Sequence, residues 1–305
     1  MVERLDYIEL KDAEGKLRRI EIRPVAKPEE FRQLVEVQAS AWRMGKDLTE
    51  AVPSHVLKAA ADNYGIVVGA FDLDNGMAVG FAWGFLARDS KGLYHYSHQS
   101  AVIEELKYAG LGFRIKQAQR KIALSMGLNR ARWTFDPLQA LNTRFNLGKL
   151  GVISWEYVIN YYGEINDEIN RGLRTDRLKI WWFLDSERVK MKAEGKLRSP
   201  TLEEAIDAGA VEVLEFKLDP RRPVDFKKVE DELILVEIPY RVERARSEGT
   251  VSQWREITAK AMLYYMSRGY IDFEAVYDKA SQRVFHLLWK QPLETILSGK
   301  TPFHR

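Results

Sequence analysis

The stretch Ala101-Val102-Ile103-Glu104-Glu105-Leu106-Lys107-Tyr108-Ala109-Gly110-Leu111-Gly112-Phe113 decides how the chain is read. A buried strand end runs into a turn with glycines at 110 and 112, and a long helix opens behind it. In that helix Ile115, Ala118, Ile122 and Met126 recur at helical spacing, and Gly127 stands where a closing glycine belongs. Glycines let backbone N–H groups come close to a ligand. The first helical turn adds unpaired donors and the positive end of the helix dipole. This combination predicts a phosphate or pyrophosphate site. The same two glycines also suit a plain strand-to-helix turn.

Working outward, residues 5–25 alternate and read as a β-hairpin ending in Ile20-Glu-Ile-Arg-Pro24. Pro28 to Trp42 is an amphipathic helix with proline and acids in its first turn, and Pro53 to Ala61 is a second. Ile66–Phe71 and Met77–Leu86 are strands joined at Asp74-Asn75-Gly76, a strong hairpin signal. Gly92 to Ile103 is the next strand, and Ala131 to Phe135 another, broken by Asp136-Pro137. A short helix over Leu138–Leu150 closes at Gly151, and Ile153 to Tyr162 is a strand. Further on come a strand over Lys179–Leu184, a helix over Ser186–Glu194, and a linker over Arg198–Thr201. The last third predicts strands near Val211–Leu218 and Glu232–Ile238, a helix over Tyr240–Arg268 broken near Gly249, and a closing hairpin of Tyr270–Tyr277 with Arg283–Trp289.

Composition narrows the function classes. The 305 residues suffice for one large domain or two modest ones, and 46% hydrophobic content supports a full core. No stretch reaches the length of a membrane span, and the N-terminal Met-Val-Glu-Arg-Leu-Asp does not read as a signal peptide, so a cytoplasmic protein is expected. There is no cysteine, which excludes disulfides, thiolate metal sites and a cysteine nucleophile. Five scattered histidines predict no metal site. A net charge of +3 with interleaved signs does not point to nucleic acid. Charged residues at 30% without cysteine fit a heat-adapted source.

The order strand, helix, helix, hairpin, strand, glycine turn, helix, strand, helix, strand resembles that of the GNAT superfamily of acyltransferases. The family carries Gln/Arg-x-x-Gly-x-Gly/Ala between its fourth strand and third helix. Here Lys107, Gly110 and Gly112 occupy that motif, with lysine as a departure in its first position. Downstream the family shows a short helix with a Tyr-x-x-x-Gly-Phe-like segment, and here Leu147-Gly-Lys-Leu-Gly151-Val152 takes its place. The resemblance spans roughly residues 18–185. A longer, poorly characterised bacterial and archaeal branch of GNAT-like proteins is particularly similar. It is carried by Trp133-Thr-Phe-Asp-Pro-Leu138, Asn142, Phe145-Asn146-Leu147, Lys149-Leu-Gly151, Tyr161-Tyr-Gly163 and Asp176-Arg177. That branch has an appended C-terminal region, and some of its members sit in amino-acid N-acylation pathways with succinyl-CoA as a donor.

The resemblance implies an α/β (α+β) GNAT fold: a mixed central sheet, splayed between its fourth and fifth strands and flanked by helices. It implies domains over 1–195, binding acyl-CoA, and 196–305, a GNAT-like half, lid or dimerisation element. Arg268-Gly269-Tyr270 before a hairpin echoes Leu150-Gly151-Val152 before a strand, as a degenerate second half would. The implied activity is N-acylation of a small amine by direct attack on the thioester of acetyl-CoA or another acyl-CoA. A GNAT-fold protein that binds CoA or a nucleotide without turnover is the alternative, and a protein that has lost the cofactor site is a third reading.

By the same resemblance, Ala101, Val102 and Ile103 pair with the pantetheine arm. Lys107, Tyr108, Ala109, Gly110, Leu111, Gly112 and Phe113 hold the pyrophosphate. Asn142 and Asn146 face the ligand or serve as caps and turn-makers, and Leu147 stands where the family's acidic tyrosine belongs. His95 and His98 lie three apart on one strand, so one at most faces the cleft, and His98 is a candidate base. Glu104 and Glu105 are candidates through water, or solvated carboxylates. Asp136 could bind a substrate ammonium or make an Asp-Pro turn. Trp155, Tyr157, Tyr161, Tyr162, Trp181 and Trp182 line an acceptor pocket or fill the core. Arg171, Arg174 and Arg177 are spaced for a carboxylate or for ion pairs.

Overall fold

In a computed structural model of the chain, residues 5–45, 47–106, 110–163, 174–214 and 225–303 are described. They form two compact units that part between Arg132 and Trp133, upstream of the boundary expected near residue 195.

The first unit opens with the expected hairpin, β1 (Asp6–Lys11) and β2 (Leu17–Pro24). Then come helices α1 (Pro28–Ala41) and α2 (Ser54–Asp62) and strands β3 (Ile66–Asp72), β4 (Ala78–Asp89) and β5 (Gly92–Val102). Helix α3 (Leu111–Ser125) leads to β6 (Arg130–Phe135), where the chain passes from one unit to the other. The first five strands are antiparallel neighbours in chain order, and β6 is parallel to β5. Pro28 and the acids Glu29 and Glu30 suit the start of α1, since a missing N–H costs nothing there and negative charge meets the helix dipole. Phe31, Leu34 and Val37 of α1 pack on Phe81, Trp83 and Ala101 of the sheet. Gly80 faces α3 so closely that a Cβ there would lie 2.8 Å from Ile115 Cδ1. Helices thus cover β4 and β5 on both faces.

Two features of this sheet position the site. β4 and β5 pair regularly from Asp89↔Gly92 to Gly84↔Ser97, then slip so that Trp83 meets Gln99. His98 is the extra residue of a β-bulge, which bends and twists its strand. The ladder from β5 to β6 holds only His95↔Ala131 and Tyr96↔Arg132 among the described residues. Among the described residues of this unit, the edge of β5 facing away from β4 has no strand partner from Ser97 to Val102.

The second unit runs through α4 (Ala140–Thr143), which widens into a π-helix over Arg144–Leu150. It continues with β7 (Ile153–Val158), β8 (Arg177–Phe183), α5 (Glu187–Ala193), α6 (Leu202–Asp207), β9 (Val211–Glu212) and β10 (Leu233–Ile238). Helices α7 (Val242–Ser247) and α8 (Val251–Met266), the hairpin β11 (Ile271–Asp278) and β12 (Arg283–Trp289), and α9 (Leu293–Leu297) complete it. The break near Gly249 is present, with that glycine at φ 70°. Of the strand expected over Val211–Leu218 the described part is two residues long, and residues 215–218 lie outside the described ones.

The strand order of this unit, β6-β8-β7-β11-β12-β10-β9, repeats one pattern. A strand, helical segment and antiparallel hairpin follow one another, and the hairpin's second strand lies inside: β8 between β6 and β7, β12 between β10 and β11. The agreement extends to detail. Gly151 and Gly269, both left-handed, precede the two hairpins. Ile153 stands opposite Trp181, and Ile271 opposite Trp289. Trp155 and Phe273 are the extra residues at equivalent bulges. The modules meet where Ser154 pairs with Asp272, the same position in each. No helix among the described residues is long and apolar enough to cross a membrane.

Gly84 is the tightest point of the β4–β5 ladder. A Cβ there would run into the Tyr96 carbonyl oxygen and lie 2.7 Å from His95 Cε1. Gly84→Ala is therefore expected to destabilise the fold by about 1–3 kcal/mol, as overpacking does, read as a lower urea midpoint.

Candidate functional site

The candidate site of the first unit is built on the open edge of β5. His95 and Ser97, two apart, point to α3, and His98 faces the other way, as strand alternation and the bulge require. Ala101 and Val102 pair with Phe81 and Gly80 of β4, and the Ile103 N–H donates to the Val79 carbonyl at 3.0 Å. Among the described residues of this unit, the outer edge of Ala101 and Val102 carries no strand. A 3₁₀ turn at Glu104–Leu106 follows, then Gly110 and α3.

Gly110 is the N-cap of α3 at φ 86°, in the left-handed region where a side chain is strained. Its carbonyl accepts from the N–H groups of Phe113 and Arg114 at 3.1 and 3.4 Å. The N–H groups of Leu111 and Gly112 belong to the helix end that has no intrahelical partner. No heavy atom would meet a Cβ on Gly110 within 4 Å, so the approach to this turn is open. The Lys107, Tyr108 and Ala109 part of the expected pyrophosphate loop lies outside the described residues.

His98 stands in a patch of rings on the β4–β5 surface. Its ring centroid is 5.0 Å from Trp83, 6.2 Å from Phe85 and 6.4 Å from Tyr96, and Phe85 stacks on Tyr96 at 5.2 Å. Phe85 is exposed, and Trp83 Nε1 donates to Gln99 Oε1 at 2.9 Å. His98 is itself exposed at the edge of this patch, and the partial desolvation its ring neighbours impose lowers its pKa, which keeps the imidazole neutral and able to accept a proton at pH 7. The alternation in the sequence placed His98 apart from His95, but nothing in it announced the Trp83–Phe85–Tyr96 surround. Glu104 is exposed and lies 3.7 Å from Arg43, and Glu105 is exposed as well.

Beneath β5, on the α3 side, lies a buried polar group. Lys116 Nζ donates to Ser97 Oγ at 2.8 Å and to Gln119 Oε1 at 2.7 Å. Burial pushes the Lys116 ammonium down to about 7. His95 is buried with both ring nitrogens lacking a hydrogen-bond partner. Burial, reinforced by the Lys116 charge, pushes its pKa down to about 3. Nothing in the sequence sets Lys116, between Ile115 and Gln117, apart from a surface lysine.

The remaining candidates belong to the second unit. Asp136 forms a two-pronged ion pair with the buried Arg255, with Nη2–Oδ2 at 2.9 Å, and its Oδ1 accepts the Leu138 N–H at 3.0 Å. Asn146 is buried and accepts from Trp133 Nε1 at 3.1 Å, whereas Asn142 is exposed on α4. Leu147 is fully buried in the π-helix. That wide turn brings the Val152 N–H to the Asn146 carbonyl at 3.2 Å, a geometry the 3.6-residue reading could not foresee. Trp181, Trp182 and Tyr157 are buried, and Tyr161 and Tyr162 are exposed. Arg174 grips Asp176 at 2.9 Å and Glu256 at 3.2 Å, Arg177 donates to the Asp176 carbonyl, and Arg171 lies outside the described residues. No cluster of histidine and carboxylate side chains fit for a metal ion occurs among the described residues.

No protein-family model matches the chain, and no curated protein does. Solved structures do. The ribosomal-protein-S18-alanine N-acetyltransferase of Escherichia coli is 12% identical, with a TM-score of 0.41, over 53% of this chain and 92% of that one. An acetyltransferase of the GNAT family from Streptococcus pneumoniae is 18% identical, with a TM-score of 0.42, over 53% and 98%. Naa50 of Arabidopsis thaliana, solved in complex with a bisubstrate analogue, is 14% identical, with a TM-score of 0.41, over 53% and 97%. Each likeness covers about half of this chain.

The buried lysine has a measurable signature. The unfolded chain keeps a lysine proton up to the ordinary 10.5, and the folded chain releases it near 7. Between those values the unfolded state binds more protons, so stability rises with pH. The groups facing Lys116 include His95, Ser97 and Gln119, and His95 stays neutral throughout that window. The wild-type urea midpoint is expected to climb from pH 7 to pH 10 relative to Lys116→Met, and parallel profiles would refute the assignment.

Proposed function

We propose that the chain is an acyl-CoA-dependent N-acyltransferase that acylates the amine of a small molecule by direct attack on the thioester. The observation that carries this reading is the open edge of β5, which begins at the His98 bulge and leads through a short turn to Gly110 and the N-terminus of α3. A pantetheine arm is itself an extended amide chain, so it can complete the ladder along Ala101, Val102 and Ile103 as an added strand. The pyrophosphate then falls to the N–H groups of Gly110, Leu111 and Gly112, where the dipole of α3 favours negative charge.

The chemistry follows from placement. An edge N–H beside the bulge polarises the thioester oxygen, and the amine attacks the carbonyl carbon. His98, neutral at pH 7, takes the amine proton directly or through water. The C–S bond breaks and the CoA thiolate leaves. The rings of Trp83, Phe85 and Tyr96 border the space where the amine arrives. Acetyl or succinyl transfer to an amino acid is the finer reading, and it rests on the resemblance. The second module of the other unit is read as a degenerate GNAT half, supported by its repeated strand order and bulge.

Binding without turnover is the second reading, favoured by one observation. Leu147, where the family's acidic tyrosine belongs, is fully buried and has no proton to give. A CoA thiol is acidic enough to leave unassisted, so turnover remains the first reading.

Release of CoA from acetyl-CoA in the presence of an amine panel separates the two, and the chain has no cysteine to contribute background thiol. Amine-dependent thiol release is expected, and CoA binding without release would favour the second reading. Gly110→Val is expected to weaken CoA at least about tenfold with the circular dichroism spectrum unchanged, because a branched side chain is strained at φ 86° and crowds the turn. Unaltered affinity would sink the pyrophosphate assignment. His98→Gln is expected to lower kcat by about 10²-fold with CoA affinity retained, and an unchanged kcat would remove His98 from the reaction.

A further inference from the structure

The second unit contains a groove of about 590 Å³ at the junction of its two modules. Arg144 and Lys149 of the π-helix line it, together with Arg198 from the segment before α6 and Lys279 from the β11–β12 turn. Four cations from three separate segments therefore converge on one concavity. Arg144, Lys149 and Lys279 make no ion pair among the described residues. Like charges gathered without counter-charge repel one another, and a bound anion relieves that repulsion.

The nearby carboxylates are already engaged. Asp278 lines the groove, but its Oδ1 accepts the Ala280 N–H at 3.0 Å and its Oδ2 the Ser281 hydroxyl. Glu204 is bound to Arg198, with Nη1–Oε2 at 2.7 Å. Beneath the floor, Glu274 is fully buried and held by Lys192 at 2.6 Å and Arg188 at 3.3 Å. Four cations thus face two carboxylates at the rim, and the buried cluster adds no negative charge. Arg144 is also seated: its guanidinium lies over the Tyr277 ring at 5.1 Å, which limits its rotamers before any ligand arrives. Ser199 Oγ, at the floor, is fixed by donating to Glu274 Oε1 at 2.8 Å.

We propose that this groove binds a small anion carrying at least two negative charges, through paired phosphate or carboxylate oxygens. Such groups match a guanidinium fork beside lysine ammonium groups. The ligand touches the helix of one module and the hairpin turn of the other, so its binding clamps the two together. The proposal is independent of the acyl-transfer reading and needs no turnover to test.

The experiment is thermal unfolding of the full chain with inorganic pyrophosphate and, separately, citrate, each against sodium chloride at equal ionic strength. A saturable rise in Tm above the salt control is expected with at least one of them, because a ligand of the native state stabilises it. The stronger of the two tells phosphate from carboxylate recognition. Arg144→Gln/Lys149→Gln changes exposed side chains and is expected to weaken that response about tenfold. Gly110→Val is expected to retain it, which separates the groove from the turn before α3. A response lost in Gly110→Val and kept in Arg144→Gln/Lys149→Gln would overturn the proposal, as would a response no larger than that of sodium chloride.

Discussion

The acyl-transfer reading of this protein depends on an interruption in one β-strand. A sheet edge with unpaired N–H and C=O groups is normally a liability, since it invites any passing strand. Here the interruption is built in. Gly84 lets β4 pass close to Tyr96 and His95, and the extra residue His98 bends β5 just beyond them. Among the described residues of the first unit, the backbone groups from Ser97 to Val102 on the outer edge have no strand partner, and a 3₁₀ turn at Glu104–Leu106 follows the strand. In the acyl-transfer proposal, extended-chain recognition and anion recognition lie in sequence along one path.

The polar interior beneath that edge runs against stability. A lysine, a histidine, a serine and a glutamine share a space that hydrophobic side chains would fill at lower cost. Burial strips Lys116 of most of its ordinary basicity and leaves His95 neutral far into the acid range. The second unit handles its buried charges differently. Glu274 meets two cations, Asp176 meets Arg174 and the Tyr157 hydroxyl, and His286 Nδ1 lies 2.8 Å from Asp272. These buried charges of the second unit are paired.

The repetition in the second unit accounts for the length of the chain. A strand, helical segment and hairpin occur twice, with the same bulge and the same isoleucine–tryptophan pairing. The first copy spends its helix on a π-turn, and the second has two ordinary helices, α7 and α8, in the corresponding place. Side chains have diverged where the backbone pattern has not. Ser154 corresponds to Asp272, and each is fully buried at the meeting of the modules.

From the sequence alone, periodicity located most elements, since alternation and 3.6-residue spacing are local properties. The Asn75-Gly76 hairpin, the Gly110 turn, Gly127 at the end of α3 and the break at Gly249 were all legible, because a left-handed backbone leaves glycine as its mark. So was the separation of His95 from His98, and the echo of Gly151 in Gly269. What only the tertiary structure decided was environment. Whether Asp136 meets solvent or Arg255 is set by a residue 119 positions away. Whether Lys116 is solvated or buried depends on which face of α3 meets β5, and the ring patch around His98 exists only once β4 and β5 are in register. Chain-local patterns encode φ and ψ. Desolvation and ion pairing arise between segments distant in sequence, and those set what each side chain can do.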